Sequence, residues 1–376
     1  PENARTIPPA PKIQTIHSDI EKTADQLLAA KNPLILTEAA GQEVETFEAL
    51  VELCELLALP LIEKPGALFA NFPKDHPLHQ GHDLKPYWDD MDLALVIRTR
   101  VPWYPPSQRP PNAMVAIIDE EPHRASMVYQ SLQADLYLEG NVTRTLQDLT
   151  EVLKSQNLDN EAIENKRSAL AKSHDELMAK KLALYRDAEK KSPIDPVWLC
   201  ACLGEVMPKS TAYIDEVTTH TPLLREHIMW TEPQSLFTRQ SGLGQGLGLS
   251  LGVKLAKPQS PVVTLIGDGA FLYNPVLQSL GASRDYNLPI IAVIFNNTKY
   301  AAMQGMHLKM YPKGVAVDTN IFHGTHINAP DFTKIAEAFG AYGERVENPE
   351  QVKQALKNAL KANEEGKTAI IDVCVS

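Results

Sequence analysis

Short apolar runs of strand length recur along the chain and alternate with segments that have helical periodicity. The runs LILT, PLIE, DLALVIR and MVAIIDEEP lie in the first half, and TAYID, PVVTLIG, PIIAVIFN and AIIDVCV lie in the second. Each run is apolar almost throughout and ends in polar residues, which is typical of inner strands in a parallel sheet. Because parallel strands need crossover connections, usually helices, the alternation predicts an α/β chain with two parallel-sheet domains.

This pattern divides the chain of 376 residues into four parts. Residues 1–17 include four prolines and are predicted to be a linker, and residues 18–155 are predicted to form the first α/β domain. Residues 156–191 carry many charges and no strand signal, which predicts a helical connector, and residues 192–376 are predicted to form the second α/β domain. A chain of this length accommodates two domains with cores of their own.

Composition argues against several functional classes. The net charge is −11 and no block of lysine or arginine stands out, which disfavours a surface for nucleic acid or anionic membrane. No apolar run reaches the roughly 18 residues of a transmembrane helix, and the N-terminus lacks a signal-peptide pattern. Cys54, Cys200, Cys202 and Cys374 form no CxxC pair, so we expect reduced thiols in a cytoplasmic protein, not a zinc or disulfide scaffold.

Three histidines recur at three-residue spacing in the segment DHPLHQGHD. His76, His79 and His82 all carry imidazole groups, which are common zinc ligands. However, the proline and the glycine indicate a loop, and the sequence offers no obvious fourth ligand. The sequence therefore favours an ordinary loop here over a metal site.

An acidic residue between two glycines ends the run VVTLIG. Asp268 lies between Gly267 and Gly269, and the next strand ends at Asn296 and Asn297. Because a right-handed crossover brings both strand ends to one edge of the sheet, a carboxylate and an amide oxygen are expected to converge there. Such oxygens suit Mg²⁺, which keeps substrate phosphates as further ligands, and glycine lets the backbone approach a phosphate. A tight turn alone would also explain Asp-Gly, so the prediction depends on the pairing of the two strand ends.

The combination of GDG and NN resembles the diphosphate- and metal-binding motif of thiamine-diphosphate-dependent enzymes, with an interval two residues longer than the commonest form. The segment RQSGLGQGLGLSLGVKLAKP (239–258) resembles the glycine-rich loop and helix that precede GDG in the acetolactate synthase, benzoylformate decarboxylase and pyruvate oxidase branch. The segment YIDEVTTHTPLL (213–224) resembles the stretch whose hydroxyls hold the diphosphate. The resemblance covers nearly the whole chain and implies two Rossmann-like domains.

The resemblance also implies roles for individual residues. The metal would be held by the Asp268 carboxylate, the Asn297 amide oxygen and the Lys299 backbone carbonyl. Leu243 would prop the cofactor in its bent conformation, and the Ser241 carbonyl would accept a hydrogen bond from its pyrimidine amino group. The other implied cofactor-binding residues are Thr218, Thr219, His220, Gly242, Gly267, Gly269 and Ala270. The candidates for lining the substrate pocket are Tyr300, Met303, Gln304 and His307. Helix capping by the threonines and close packing of a glycine-rich helix remain open as simpler explanations.

Two domains of the family have counterparts in this chain, and one does not. The first domain resembles the middle domain, which binds FAD or a nucleotide in some members and nothing in others; no residue pattern here indicates FAD. The pyrimidine-binding domain, which carries the catalytic glutamate in the family, has no counterpart in this sequence. Truncation of a longer chain, a naturally split enzyme and a deliberately shortened chain all stay open as explanations. The resemblance therefore implies thiamine diphosphate and Mg²⁺ as cofactors and a pyrimidine-binding domain or subunit acting in trans. It also implies a homodimer or homotetramer, and the chain alone is expected to be inactive.

The implied reaction is decarboxylation or carboligation of a 2-oxo acid or a related carbonyl compound. Two alternatives stay open: a carbon–carbon lyase of the 2-hydroxyacyl-CoA or benzaldehyde kind, and a non-catalytic cofactor-binding subunit. A dehydrogenase that uses the glycines at 242–248 is disfavoured, because the acidic residue about 20 positions on belongs to GDG. No sequence feature identifies the substrate.

Overall fold

The computed structural model describes residues 7–8, 10–64, 66–105, 107–124, 133–238 and 242–376. The chain divides into two compact units, Pro1–Lys64 with Pro77–His174, and Pro65–His76 with Asp175–Ser376. Each unit is built around one parallel sheet, so the predicted α/β class with two parallel-sheet domains is confirmed. No helix in the described part of the chain has the length and apolar character needed to span a membrane.

The first unit contains a five-stranded parallel sheet in the order β2-β1-β3-β4-β5. Its strands are β1 (Pro33–Thr37), β2 (Leu61–Glu63), β3 (Leu93–Ile97), β4 (Met114–Asp119) and β5 (Leu136–Glu139). Its helices are α1 (His17–Ala29), α2 (Val44–Leu57), α3 (Val142–Lys154) and the first part of α4 (Asn160–Ala188), which continues into the second unit. Every residue of β1 and β3 is buried, as expected for inner strands covered on both faces.

The second unit contains a six-stranded parallel sheet in the order β10-β11-β9-β8-β6-β7. Its strands are β6 (Ala212–Glu216), β7 (Leu236–Thr238), β8 (Val262–Gly267), β9 (Ile291–Asn296), β10 (Tyr342–Val346) and β11 (Ala369–Cys374). The helices after α4 are α5 (Pro196–Val206), α6 (Thr221–His227), α7 (Gly246–Ala256), α8 (Asp268–Tyr273), α9 (Val276–Asp285), α10 (Ala301–Met310), α11 (Val315–Thr319), α12 (Thr333–Ala338) and α13 (Val352–Glu364).

The segment 65–76 lies within the range predicted for the first domain but packs in the second unit. The buried Lys74 ammonium group donates to the carbonyls of Arg225 and Ile228, the latter at 2.8 Å. These carbonyls stand at the end of α6, where a helix leaves acceptors without intrahelical donors. Lys74 thus fixes this segment to the helix that follows the loop after β6.

The strand order of the second sheet creates an open crevice beside β6. The chain runs from β6 to β7 on one side and then to β8 on the other, so the direction of connection reverses between β6 and β8. In open parallel sheets, ligands bind outside the carboxyl ends of the strands at this reversal. The segments at that edge are residues 217–220, 267–270 and 296–300.

Candidate functional site

A cavity of about 300 Å³ opens at the carboxyl ends of β6, β8 and β9, within the second unit. This volume lies at the lower end of the range for small-molecule sites. Twelve of the residues predicted from the sequence line it: Thr218, Thr219, His220, Leu243, Gly267, Asp268, Gly269, Ala270, Asn297, Lys299, Tyr300 and Met303. Four stretches that are far apart along the chain, residues 218–220, Leu243, 267–270 and 297–303, thus meet around one space.

Three other predicted residues that the structure describes do not line the cavity. Gly242 is next to the lining residue Leu243, and Gln304 and His307 lie further along α10, but these three are not part of the lining. Ser241 falls outside the described residues. Conversely, the lining includes side chains that sequence reasoning missed, notably Tyr273 and Phe295. Apolar and aromatic residues at helix and strand ends have no chemical signature in a sequence, so only the fold identifies them.

Asp268 is buried at the floor of the cavity, with 2% of its surface exposed. Its Oδ1 accepts a hydrogen bond from the Gly269 amide at 2.8 Å. The amides of Thr298 and Lys299 lie near the carboxyl group, but no donor among the described residues reaches Oδ2 with hydrogen-bond geometry. Burial raises the pKa of Asp268 to about 6, although these three amides act in the opposite direction. A buried carboxylate oxygen without a donor is unfavourable unless a cation occupies the space beside it.

The turn after β9 is built from two asparagines with different roles. The Asn296 amide donates to the buried Asp372 carboxylate at 2.8 Å, and its oxygen accepts from the Thr298 amide at 3.2 Å. Asn296 therefore supports the turn from within the sheet. Asn297 lies at the cavity, where its side-chain oxygen accepts from the Lys299 amide at 3.0 Å. The turn places the Asn297 side chain and the Lys299 backbone beside Asp268.

Gly269 is required by close packing of an aromatic ring. A Cβ atom at this position would lie 2.5 Å from the Tyr300 ring, far inside contact distance. Tyr300 is itself held by a hydrogen bond of 2.7 Å from its amide to the Thr325 carbonyl. The second glycine of GDG thus leaves room for the ring that forms one wall of the cavity.

His220 presents a neutral imidazole to the cavity. Its ring stacks at a tilt on Phe295, with centroids 5.8 Å apart, and burial lowers its pKa. Its Nε2 atom is buried, and no hydrogen-bond partner for it exists among the described residues. A polar atom in this state is satisfied when a ligand with a matching group enters the cavity.

The glycine-rich loop before α7 is anchored by Glu216, a residue that sequence reasoning missed. The fully buried Glu216 carboxylate accepts from the amides of Gly244 at 2.7 Å, Gln245 at 3.1 Å and Gly246 at 2.8 Å. It also accepts from the Asn274 side chain at 2.8 Å. These amides belong to the start of a helix, where donors lack intrahelical acceptors and a negative charge is favourable. The adjacent Leu243, which lines the cavity, is positioned by this network.

The cavity meets the requirements of a diphosphate held through a divalent cation. Among its described lining residues, Asp268 brings a negative charge and Lys299 is the sole positively charged side chain, because His220 is neutral. An anionic diphosphate beside a carboxylate is repelled unless a cation lies between them. The buried Oδ2 of Asp268 and the Asn297 oxygen are hard ligands of the kind that Mg²⁺ prefers. The residues present therefore fit this group.

The crevice of the first sheet is occupied by ion pairs. It lies between β1 and β3, where Arg100 donates to Glu38 at 2.9 Å and Arg98 donates to Glu120 at 2.9 Å. Arg98 also contacts Glu43 at 3.4 Å. Both guanidinium groups are thus paired with carboxylates from the same unit.

Two family models match separate parts of the chain. A family model described as "Thiamine pyrophosphate enzyme, C-terminal TPP binding domain" matches residues 216–373. A second, described as "Thiamine pyrophosphate enzyme, central domain", matches residues 20–149. The first match contains the cavity and the second contains the first sheet.

Curated relatives come from two kinds of enzyme. The chain is 25% identical over 374 residues to the probable acetolactate synthase large subunit of Methanocaldococcus jannaschii, covering 92% of this chain and 58% of that protein. It is 25% identical over 378 residues to the acetolactate synthase isozyme 3 large subunit of Escherichia coli, covering 95% and 61%. It is 25% identical over 358 residues to the benzoylformate decarboxylase of Pseudomonas aeruginosa, covering 92% and 62%. The chain thus spans about three-fifths of the length of these relatives.

Solved structures share the fold. Benzoylformate decarboxylase from Polynucleobacter necessarius aligns with a TM-score of 0.74 at 22% identity, over 99% of this chain and 66% of that one. A thiamine diphosphate-dependent 4-hydroxybenzoylformate decarboxylase from Rhodococcus jostii aligns with a TM-score of 0.77 at 22% identity, over the same shares. The chain therefore belongs to the thiamine pyrophosphate enzyme family, of which it carries the central and the C-terminal TPP-binding domains.

Proposed function

We propose that the chain binds thiamine diphosphate through Mg²⁺ and serves in the decarboxylation or carboligation of a 2-oxo acid or a related carbonyl compound. The observation that carries this proposal is the buried Oδ2 of Asp268, which lacks a donor among the described residues and lies in a cavity lined by the family's cofactor segments. The relatives named acetolactate synthase and benzoylformate decarboxylase support a carbonyl substrate of this class.

Each part of the cavity has a proposed task. Asp268, the Asn297 amide oxygen and the Lys299 carbonyl would hold Mg²⁺. Thr218, Thr219 and His220 would contact the diphosphate. The backbone of Gly267, Gly269 and Ala270 would lie against it, and Gly242 and Ser241 belong to the segment that would contact the pyrimidine. Tyr300 and Met303 would line the substrate side, with Gln304 behind them.

The residues of this chain orient the bound group and shield it from water. Bound thiamine diphosphate supplies an electron sink for cleavage of the bond next to a carbonyl. Leu243 projects from between Gly242 and Gly244, whose φ values are +72° and +91°. These left-handed conformations suit glycine and turn the intervening side chain towards the cavity. Its apolar bulk would support the bent form of the group.

Leu243→Ala is expected to leave cofactor affinity nearly intact and to lower kcat of the completed enzyme about 10- to 100-fold, because small misplacement of reacting groups has large effects on rate. The measurement is a cofactor titration together with turnover of a panel of 2-oxo acids. Leu255→Ala provides a matched control, since Leu255 is 70% exposed on α7 and does not line the cavity. Unchanged turnover in Leu243→Ala would remove the propping role.

A further domain is proposed to complete the site. The chain spans about three-fifths of its relatives, and apolar side chains on the helices that border the cavity are open to solvent. Leu272 and Tyr273 on α8 and Met303 and Met306 on α10 are between 47% and 60% exposed. Exposed apolar groups clustered near a cavity favour a contact surface. We propose that a pyrimidine-binding domain covers them in trans, in a cytoplasmic homodimer or homotetramer.

Two alternative functions share the same cavity. A carbon–carbon lyase acting on a 2-hydroxyacyl-CoA or a benzaldehyde-type compound would use the same cofactor. A non-catalytic subunit would bind the cofactor without turnover, even when a pyrimidine-binding domain is supplied. Activity with 2-oxo acids, activity with acyl-CoA compounds, or binding alone therefore separates the three.

The first experiment is native and denaturing mass spectrometry of the purified protein with thiamine diphosphate and Mg²⁺. We expect a mass increase that corresponds to one cofactor and one Mg²⁺ per chain and that disappears with a chelator. A second polypeptide of about one domain's mass would identify the partner that completes the site. Failure to retain the cofactor at any Mg²⁺ concentration would contradict the proposed function.

A further inference from the structure

Three potential metal ligands meet in the first unit, far in sequence from the cofactor motifs. Glu63 stands at the end of β2, and His79 and His82 follow in the loop after it. One ligand atom from each residue lies within 4.8 Å of the other two. The loop is held to β2 by backbone bonds from Leu61 to Leu78 at 2.9 Å and from Glu63 to Gly81 at 3.1 Å. The cluster is therefore fixed by the sheet.

The spacing of two of these atoms fits a tetrahedral ion. His79 Nε2 lies 3.3 Å from Glu63 Oε2. Two ligands bound to one tetrahedral Zn²⁺ at the usual bond lengths of about 2.0–2.1 Å are roughly 3.4 Å apart. A small shift of His82 would bring all three ligand atoms within bonding distance of one ion.

His82 is oriented in the manner of a metal-bound histidine. Its Nδ1 lies 3.1 Å from the Glu63 carbonyl oxygen, which accepts hydrogen bonds only, so Nδ1 carries the proton. The other ring nitrogen, Nε2, is buried and is the atom that can offer a lone pair to a metal ion. A carbonyl that fixes the far nitrogen of an imidazole is the usual second layer of support around a metal ligand.

Burial adds an electrostatic argument. Glu63 is 0% exposed and His79 is 1% exposed. A carboxylate at such depth is unfavourable unless a positive charge compensates it. A divalent cation bound by both side chains supplies that charge, and so does a proton on His79. Uptake of metal by the cluster is a direct test of the first of these sources.

We propose that Glu63, His79 and His82 form a binding site for a divalent transition-metal ion of the Zn²⁺ type, with water as the fourth ligand. Two imidazoles and one carboxylate favour such ions over Mg²⁺. The sequence argued against zinc because no fourth ligand accompanied the three histidines. In the structure His76 is not part of the cluster, because its ring packs on Phe72 with the ring centroids 5.1 Å apart. The third ligand of the cluster is instead Glu63, at the end of β2. The ion would fasten the loop to the strand end.

The test is titration of the full chain with Co²⁺ in the presence of excess Mg²⁺ and thiamine diphosphate, which fill the proposed cofactor site. We expect the intense visible absorption of four-coordinate Co²⁺ at one equivalent, and its loss when Zn²⁺ is added. Glu63→Gln and His82→Gln, which keep side-chain volume, are each expected to weaken Co²⁺ binding by about 100-fold or more. The signal should persist in Asp268→Ala, because that variant alters the other site.

His17→Gln is the matched control. His17 is an exposed histidine that contacts Glu21 at 3.5 Å, so it represents adventitious binding by a surface pair. If Co²⁺ gives no four-coordinate spectrum, or if the spectrum survives Glu63→Gln and His82→Gln, the cluster is a buried His–Glu ion pair and the proposal is wrong. Circular dichroism checks folding, and the half-buried His82 decides the result if Glu63→Gln does not fold.

Discussion

Replacing Asp268 with alanine is expected to weaken Mg²⁺-dependent binding of thiamine diphosphate by at least about 100-fold, since even supporting residues of metal sites have effects of that order. The fold should survive. In the cofactor-free chain, Asp268 is buried, and Oδ2 has no donor among the described residues. Removing such a group relieves an unfavourable burial, so the free energy of unfolding of the cofactor-free variant should not fall. Calorimetric titration at fixed Mg²⁺ and thermal unfolding measure the two quantities.

Two further variants serve as comparisons for Asp268→Ala. Asn297→Ala is expected to act in the same direction with a smaller effect, because it removes a neutral ligand and leaves the charge of Asp268. Asp285→Ala removes an acid that is 62% exposed and pairs with Arg284, so it should leave cofactor affinity unchanged. Equal affinity in Asp268→Ala and the native chain would show that the metal assignment is wrong.

Inner strands were predictable from the sequence, whereas most edge strands were not. The apolar runs anticipated from the sequence correspond to β1, β3, β4, β6, β8, β9 and β11, which are buried on both faces. No apolar run marks β5, β7 or β10, which lie at sheet edges and are only partly buried. The edge strand β2 was predicted from the run PLIE, and all of its residues are buried. An edge strand that carries polar residues on its open side lacks a continuous apolar run, and for this reason only the buried edge strand was predictable.

In the candidate site, too, some residues were predictable from sequence motifs, whereas others have partners that only the fold brings close. Asp268 and Asn297 were predictable because both follow strands joined by one crossover, and topology brings such ends together. Glu216 was not predictable, because its partners lie about 30 residues away, at 244–246, and a single acid at a strand end has no motif. The same holds for Glu63 beside His79, 16 positions apart. Contacts between residues that are this far apart in sequence depend on how the elements pack, so no local sequence pattern predicts them.

Glu216→Gln is expected to lower the free energy of unfolding by about 3 kcal/mol or more and to weaken cofactor binding at the same time. The carboxylate accepts from three consecutive backbone amides and from Asn274. An amide side chain would turn an NH₂ group towards some of these donors, and each lost bond to a buried charged group is worth about 1.5–3 kcal/mol. Since the loop that carries Leu243 depends on these bonds, both stability and affinity should fall. Urea unfolding and cofactor titration measure the two effects.

Two glycines on α7 allow the loop anchor to be tested without touching Glu216. A Cβ atom at Gly246 would lie 2.5 Å from Glu216 Oε2, whereas one at Gly252 would meet nothing within 4 Å. Gly246→Ala should therefore push the carboxylate from its donors and destabilise the chain by about 1–3 kcal/mol. Gly252→Ala makes the same chemical change in the same helix and should stabilise it by about 0.5–1 kcal/mol, because alanine favours helix. Equal effects of the two substitutions would mean that helix propensity alone governs this segment, and Glu216 would lose its role as the anchor of the loop.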